Sequence, residues 1–326
     1  MNFIQHTAVT CRLVILIVIL SAGKLFSQTA IKDTAQLASN DLRVVIANNE
    51  SYGNMHKAGY SGVSELYLKN EDGKMFFVPL YAGLNFEHIF SGDSKTYEWN
   101  MYECRQAPMK LVRLSSRKVE LRQARTKNWP LKSSVSYELK NNSIDFVFSA
   151  TPLQDAWKKH RYIGIFFASY INAPPEKGIN FIAKTSAAGS KPQWVYHLPE
   201  THGLNANHKP AGSKWNPVID SPGFPISLVT GLSDLEYVYP FYYGLSGANV
   251  FIIMFDPPGK NGQTNFAQSP DGGGDDNPAW DFIYFRKNYK VGKKFSFRVR
   301  VVLKKFVGRD DVIKTYETWS GKKVRI

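Results

Sequence analysis

The stretch Val135-Ser-Tyr-Glu-Leu-Lys-Asn-Asn-Ser-Ile-Asp-Phe-Val-Phe148 decides the fold class. Its two arms, Val135–Leu139 and Ile144–Phe148, carry apolar residues at alternate positions, and Lys140–Ser143 between them is polar and rich in turn formers. Successive side chains of a strand point to opposite faces, so the three apolar residues of the second arm share one face. The pattern predicts a β-hairpin with one buried face.

Runs of the same kind continue on both sides of this hairpin. The pattern predicts only one helix, near Asp310–Trp319, capped by Asp310-Asp311 and ended by Gly321. No alternation of strands and helices is visible, which excludes a Rossmann domain and a TIM barrel. We therefore predict an all-β protein, a large antiparallel β-sandwich with one short C-terminal helix. Two long loops, Lys184–Pro225 and Pro257–Ala279, are expected over one face. The strand-like runs are Leu42–Ile46, Val63–Leu68, Met75–Leu80, Val119–Ala124, Tyr162–Tyr170, Val250–Phe255 and Phe295–Val302.

Composition agrees with a β-rich protein and narrows its partners. Of 326 residues, 43% are apolar and 14% aromatic, the latter typical of β-proteins that bind flat ligands such as sugars. Two cysteines exclude a disulfide scaffold and a four-thiolate zinc site. The net charge of +14 is dispersed along alternating runs, which indicates solvated strand faces and no nucleic-acid partner. An acidic glycan is an alternative partner for such a basic protein.

The first 27 residues have the pattern of a secretory signal peptide. Arg12 precedes the apolar run Leu13–Leu20, and small residues follow up to Ser27. The run is too short for a stable membrane span, although a short anchor is the alternative. We expect export, to the periplasm or the medium, with cleavage near Ser27–Gln28. A loose lead-in over 28–41 and one β-sandwich domain over 42–326 should follow. Cys104 is then the remaining thiol, expected to be a buried small residue.

The densest polar cluster runs from Trp194 to His208 and holds three of the seven histidines. Imidazoles can move protons at neutral pH, so His197 or His202 is a candidate proton donor. Glu200 and Trp194 are candidate substrate contacts. Two alternatives are a polar loop with structural histidines and a zinc site on His197, Glu200 and His202, whose spacing matches no standard zinc motif.

Two further clusters contain carboxylates. Glu87 and His88 are adjacent, so in a regular strand they point to opposite faces, and at most one faces a pocket unless a bulge intervenes. Arg105 follows and could grip vicinal hydroxyls or a carboxylate, with a surface charge as the commoner alternative. Trp280-Asp281 is a candidate pair for sugar binding, in which the ring stacks and the acid accepts hydroxyls. The alternative for Trp280 is a core residue.

Several runs of the chain resemble a group of uncharacterised exported bacterial proteins that is similar to the galactose mutarotase-like superfamily. The resemblance implies a large antiparallel β-supersandwich that binds carbohydrate in a cleft. Aldose epimerases of that superfamily pair a histidine acid with a late glutamate base, and this sequence lacks their histidine motif. The runs are Gly59–Val63, Val78–His88, Trp194–His197, Thr201–Gly203 and Asn277–Phe282.

Together these patterns predict an exported carbohydrate-active protein that binds a mono- or oligosaccharide. One hypothesis is an aldose-1-epimerase-like or related glycan-processing enzyme, such as a glycoside hydrolase or polysaccharide lyase, without metal or cofactor. The alternatives are a noncatalytic glycan-binding protein of the envelope and a structural envelope protein. For an enzyme, we expect His197 or His202 as acid and Asp281 or Glu87 as base. The expected substrate contacts are Arg105, His88, Trp194, Glu200 and Trp280. The sequence makes no prediction of oligomeric state.

Overall fold

Strands in three antiparallel sheets are the main regular secondary structure of the protein, a computed structural model that describes residues 29–31, 34–49, 59–69 and 73–326. The predicted leader over residues 1–27 lies outside these ranges. The largest sheet has eleven strands, in the spatial order β1 (Thr29–Ile31), β6 (Met109–Ser115), β7 (Lys118–Gln123), β8 (Leu131–Leu139), β9 (Ser143–Pro152), β19 (Phe295–Lys305), β16 (Asn249–Phe255), β15 (Phe241–Ser246), β11 (Ile179–Thr185) and β12 (Gln193–His197), with β14 (Leu235–Tyr237) beside β11.

Two smaller sheets complete the strand set. The five-stranded sheet has the order β13 (Asn207–His208), β17 (Gly262–Ser269), β18 (Ala279–Lys287), β10 (Tyr162–Ala168) and β5 (Asn85–Phe90). The three-stranded sheet contains β2 (Thr34–Ala38), β3 (Leu42–Ala47) and β4 (Gly62–Leu68). The helices are α1 (Glu103–Gln106), α2 (Ser227–Thr230) and α3 (Arg309–Ser320), with a 3₁₀ turn at Ser94–Thr96.

The predicted hairpin is confirmed as β8 and β9. Val135 lies opposite Phe148 and Leu139 opposite Ile144, and the Lys140 amide donates to the Ser143 carbonyl across the turn (2.8 Å). The buried face of this hairpin packs against the five-stranded sheet. The hairpin therefore forms one wall of the sandwich.

Aromatic rings join the two large sheets. Phe146 and Phe148 of β9 lie 5.0 and 5.5 Å, between ring centroids, from Phe167 of β10. Phe282 of β18 stacks on Phe167 at 5.1 Å, and all four rings are buried. Each fully buried Phe contributes about 1.5–3 kcal/mol through removal from water. The all-β antiparallel sandwich predicted from the alternation is thus confirmed.

The predicted C-terminal helix is confirmed and packs on the outer face of the large sheet. Tyr316 of α3 contacts Phe241 of β15 at a centroid distance of 4.7 Å. The helix ends where Gly321 adopts a left-handed conformation (φ 69°), which glycine adopts without a Cβ clash. The predicted cap differs, because Gly308 precedes the helix and Asp310 and Asp311 lie inside its first turn.

The outer face of the five-stranded sheet is covered by irregular chain and by the short helix α2. Ala206, Ile226, Leu228 and Val229 pack against the outward side chains of β10 and β18. They belong to, or directly follow, the predicted loop Lys184–Pro225, which also contains β12 and β13. This layer and the sheet beneath it enclose the cavity described below.

The segment expected to be a loose lead-in differs from that prediction. Within 28–41, β1 pairs with β6, and β2 pairs with β3. The short run Thr34–Ala38 alternates, so that Ala35 and Leu37 are buried in the core while their neighbours are exposed. Over the described ranges, no helix has the length and hydrophobicity needed to cross a bilayer.

Candidate functional site

A cavity of about 240 Å³ lies on the outer face of the five-stranded sheet. Its volume is just below the roughly 300–1,000 Å³ of typical ligand pockets, so it fits a small ligand. We call it the Glu87 pocket. Its chemically active lining residues are Tyr60, Tyr81, Glu87, His88, Tyr102, Arg105, Tyr170, His202, Ser269 and Asp281.

A β-bulge in β5 brings two adjacent side chains to the pocket. Phe166 of β10 lies opposite His88, and the next residue, Phe167, lies opposite Phe86, so Glu87 is the extra residue. In a bulge, two residues oppose one on the neighbouring strand, and the alternation of faces is interrupted. Glu87 and His88 therefore both line the pocket.

The Glu87 carboxylate is buried at the centre of a polar network. Its Oε2 accepts from the Tyr170 hydroxyl at 2.6 Å and from the Asn85 amide at 3.2 Å. Its Oε1 lies 3.4 Å from His88 Nε2 and 3.6 Å from an Arg105 guanidinium nitrogen. Burial alone would disfavour the charge, but the interactions with His88, Arg105 and Tyr170 outweigh it and lower the pKa of Glu87 to about 2. Glu87 is therefore ionised at neutral pH.

Arg105 is the positive charge of the pocket and not a surface residue, because it is only 1% exposed. Helix α1 places its guanidinium 3.7 Å from the ring centroid of Tyr60 and 5.4 Å from that of Tyr102. Such cation–π contacts stabilise a buried guanidinium that is largely removed from water. Burial lowers the pKa of Arg105, but Glu87 and the tyrosines raise it by more, so Arg105 stays charged.

Asp281 is the second buried carboxyl group of the pocket, and its environment differs from that of Glu87. Strand β18 carries it on the outer face, where Oδ1 accepts from the Ser169 amide at 2.9 Å. Burial raises the pKa of Asp281 well above its ordinary value; the Ser169 hydrogen bond opposes this shift and the nearby Glu87 charge adds to it. The pKa values of two carboxyl groups in one pocket are thus shifted in opposite directions, which is the usual basis for assigning acid and base roles.

His202 lies at the rim of the pocket. Its Nδ1 is 2.9 Å from the Ser269 hydroxyl, which donates to Asp271 at 2.9 Å. Because the Ser269 proton is used on Asp271, the hydroxyl accepts from His202 Nδ1–H. The neutral imidazole then has an unprotonated Nε2 that can accept a proton or a hydroxyl.

The other two histidines of the predicted cluster lie outside the pocket. Gln268 Nε2 is 2.5 Å from His197 Nδ1 and 3.5 Å from His208 Nε2, and the two rings are 4.6 Å apart. His208 Nδ1 lies 3.2 Å from the Leu235 carbonyl, to which it donates. Burial lowers the pKa of His197. Burial and the neighbouring His197 imidazole together lower the pKa of His208 to about 3. These are neutral imidazoles joined by an amide, and His197 has no pocket contact.

Trp280 is not a pocket residue. Its indole lies between the sheets, fully buried, and donates to the Lys177 carbonyl at 2.8 Å. Gly244 of β15 permits this packing, since a Cβ there would lie 2.2 Å from the ring. Asp281 faces the pocket because successive residues of β18 point to opposite faces. The structure thus separates the predicted Trp280-Asp281 pair.

Trp194 and Glu200 also lie outside the pocket. Trp194 packs on Tyr243 at a centroid distance of 5.6 Å, in the layer between the large sheet and α3. Glu200 is exposed and does not line the cavity. The zinc alternative requires His197, Glu200 and His202 to converge on one point, and they do not. Among the described residues, no group of three or more His, Cys, Asp or Glu side chains is placed to hold a metal ion.

The tyrosine wall was missed by the sequence analysis. Tyr60, Tyr81 and Tyr170 lie with centroids 5.0–5.6 Å apart on one side of the pocket. Tyr60 and Tyr81 fall within the runs that carry the family resemblance, which was the available signal.

Cys104 is a structural thiol, as expected from the sequence. It is buried and donates to the Glu87 carbonyl at 2.9 Å, and burial raises its pKa.

Comparisons with known proteins bear on the fold. No protein-family model and no curated protein matches the sequence. A galactose mutarotase-like protein from Lactobacillus casei has a similar structure, with a TM-score of 0.47, 9% identity, and coverage of 83% of this chain and 100% of that chain.

Two further solved structures belong to longer chains. A TPR-domain containing protein from Parabacteroides distasonis matches at a TM-score of 0.46 and 9% identity, over 83% of this chain and 46% of that chain. The α-N-acetylgalactosaminidase NagBb from Bifidobacterium bifidum, solved with GalNAc, matches at 0.48 and 10%, over 87% of this chain and 38% of that chain. This chain thus spans less than half the length of either one.

Proposed function

We propose that the protein is a carbohydrate-active protein that binds one sugar unit in the Glu87 pocket and transfers protons to and from it. The observation that carries this proposal is that one cavity holds two buried carboxyl groups in opposite environments. Despite burial, His88 and Arg105 lower the pKa of Glu87 to about 2, whereas burial raises the pKa of Asp281 well above its ordinary value. The ring oxygen and the anomeric hydroxyl of an aldose are the proton acceptor and donor that such a site suits.

The roles follow from the directions of the two pKa shifts and differ from those expected from the sequence. Asp281, whose pKa burial raises well above its ordinary value, is the proton donor to the ring oxygen. His202, whose Nε2 is unprotonated in the neutral form, accepts the proton of the anomeric hydroxyl. Glu87 has a lowered pKa, which makes it a weak base and a strong acceptor of substrate hydroxyl hydrogen bonds.

The remaining pocket residues position the sugar. Arg105 and His88 present nitrogen atoms beside the Glu87 carboxylate, so hydroxyls that bridge them meet both donors and acceptors. Tyr102 is partly exposed, and its ring lies 4.5 Å from His88 between centroids. It is accessible for stacking on the C–H face of a sugar.

A noncatalytic glycan-binding protein is the second candidate, and one observation favours it. Both oxygens of Glu87 already have protein partners, so the Glu87–Arg105 pair is complete before any ligand enters. Such a pair presents fixed hydrogen-bond donors and acceptors to sugar hydroxyls, and binding them needs no proton transfer. Binding without turnover would select this candidate.

The test measures binding and anomer interconversion separately. Monosaccharides are titrated against the purified protein by calorimetry, and interconversion of freshly dissolved α-aldoses is followed by polarimetry. Asp281→Asn removes the proton donor and should slow the reaction by roughly 10²–10⁴-fold while leaving binding measurable. His197→Ala, outside the pocket, is the matched histidine control and should leave the rate unchanged.

Each result has a defined meaning. Binding that is lost in Glu87→Gln, together with turnover that is lost in Asp281→Asn, supports the enzyme. Binding with no interconversion of any aldose supports the glycan-binding candidate. No heat with any mono- or oligosaccharide would exclude both.

We also propose that the chain is exported with cleavage near Ser27–Gln28. The apolar run Leu13–Leu20 is too short to span a bilayer and is followed by small residues. N-terminal sequencing of the protein from the periplasm or medium tests this, and an intact Met1 chain in the membrane fraction would exclude it.

A further inference from the structure

A second cavity lies on the outer face of the large sheet, whereas the strands of the Glu87 pocket belong to the five-stranded sheet. It has a volume of about 750 Å³ and crosses β6, β7, β8 and β9. Helix α3 packs on β15 and β16 and leaves this part of the sheet open. We call this cavity the cationic groove. Its polar lining consists of Lys110, Glu120, Arg122, Gln123, Lys132, Ser133, Ser134, Ser149, Thr151 and Lys294.

The strand register aligns the groove residues in rows across the sheet. Lys110 lies opposite Arg122, Arg122 opposite Ser134, and Ser134 opposite Ser149. Adjacent strands are about 4.8 Å apart, so this row spans roughly 14 Å. The row begins with two cations and continues with two hydroxyls.

A second row lies two residues along the same strands. Lys132 lies opposite Thr151, and the exposed Lys294 directly precedes β19. Both rows of the groove thus place cations beside hydroxyl groups.

The groove differs from other parts of the large sheet in how its cations are paired. Outside the groove, several cations of this sheet pair with carboxylates, such as Lys118 with Glu138 and Arg300 with Asp145. In the groove, Glu120 is the one lining carboxylate, and it pairs with Arg122. Lys110, Lys132 and Lys294 form no ion pair with any residue in the described ranges. Three cations around a hydroxyl floor therefore have no counterion among the residues that the structure describes.

We propose that the cationic groove binds a linear acidic polysaccharide, whose carboxylate or sulfate groups pair with Lys110, Lys132 and Lys294. The sugar hydroxyls then exchange hydrogen bonds with Ser134, Ser149 and Thr151. Charge complementarity selects an acidic chain, and the hydroxyl floor selects a polyhydroxylated one. The site is independent of the Glu87 pocket and goes beyond the function proposed above.

The lining disfavours two other polyanions. Single-stranded nucleic acid is held by aromatic side chains on which bases stack, and the described lining of the groove has none. A membrane surface is held by apolar side chains inserted beside the cations, and Leu153 is the one large apolar side chain here. Both serve as competing probes in the test.

The test uses the whole protein and two variants with the same change in net charge. The groove variant is Lys110→Ser/Lys132→Ser/Lys294→Ser. The control variant, Lys140→Ser/Lys177→Ser/Lys323→Ser, removes three lysines that are already paired with carboxylates. Fluorescence anisotropy measures binding of labelled polygalacturonate and dextran sulfate, with neutral dextran, a single-stranded oligonucleotide and phosphatidylglycerol vesicles as the other arms.

The groove variant should lose roughly tenfold or more of its affinity for the acidic polysaccharides, since each unpaired cation contributes a factor of a few. The control should lose much less, and binding by the native protein should weaken with salt. Equal losses in both variants would overturn the groove and leave general charge attraction. Tighter binding of the oligonucleotide or the vesicles than of both polysaccharides would overturn the proposed occupant.

Discussion

The Glu87 pocket and the His197–Gln268–His208 cluster both bury ionisable groups, but they do so in opposite ways. In the pocket, Glu87 and Arg105 are charged and paired, and a cavity lies beside them. In the histidine cluster, Gln268 fills the space between two imidazoles that burial keeps neutral. Open volume beside groups with shifted pKa values, and not the density of titratable residues, therefore distinguishes the candidate site.

The largest expected effect breaks the charge pair of the pocket. Arg105→Met leaves the buried Glu87 carboxylate without its counterion and should lower the free energy of unfolding by about 3–5 kcal/mol. The double variant Arg105→Met/Glu87→Gln removes both charges and should recover much of that loss. Urea denaturation at pH 7 measures both variants, with the exposed Arg43→Met as control. A double variant as unstable as the single one would contradict the buried pair.

The two regions should contribute to the pH dependence of stability with opposite signs. His208 has a folded pKa of about 3, so below pH 6.5 the unfolded chain takes up a proton that the native state does not. Stability is then lost as the pH falls from 6.5 towards 3, by about 1.4 kcal/mol per pH unit for one full proton. Asp281 acts with the opposite sign: its folded pKa is raised, so its contribution is present below pH 3.8 and is lost as the pH rises.

Two variants isolate these slopes between pH 5 and pH 6.5. Compared with the native protein, His208→Phe should become relatively more stable as the pH falls, and Asp281→Asn relatively less stable. Chemical denaturation at several pH values gives both differences. The same sign for both variants would show that one of the two groups titrates normally.

A smaller effect is expected on the ligand. Tyr102→Ala removes the partly exposed ring at the mouth of the pocket and should weaken sugar binding roughly two- to tenfold, the range for one aromatic contact. Tyr196→Ala is the matched control, because Tyr196 is exposed on β12 beside the histidine cluster. Calorimetric titration with the best-bound monosaccharide compares them. Equal weakening in both variants would contradict the placement of the site.

Local pattern was sufficient to predict the hairpin of β8 and β9 because these strands have one buried face and one partly exposed face. Alternation in Val135–Phe148 specified a hairpin, and its apolar residues could only face a second sheet. The short β2 strand was missed because five residues, two of them buried, give too little pattern to separate a strand from loose chain. This strand forms because its backbone pairs with that of β3.

The site could be predicted only in part because its geometry depends on long-range contacts. The bulge at Glu87 is set by the register against β10, and no feature of the sequence Asn85–Phe90 marks it. Trp280 and Asp281 form a plausible pair in sequence, yet strand alternation sends them to opposite faces. Arg105 was identified as a hydroxyl-binding group, but its burial depends on Tyr60, which lies 45 residues earlier in the chain.

The smallest expected effect compares two residues of one sequence cluster, Trp194–His208. Trp194 and His202 are eight residues apart, yet Trp194 packs under α3 and His202 lines the pocket. Trp194→Phe keeps an aromatic ring against Tyr243, so sugar affinity should stay unchanged and the free energy of unfolding should change by less than about 1.5 kcal/mol. His202→Ala should weaken sugar binding, because it removes a polar group from the rim. Titration of both variants with the same monosaccharide tests the contrast. Loss of affinity in Trp194→Phe, with His202→Ala unaffected, would move the site to the α3 side of the large sheet and contradict the Glu87 pocket.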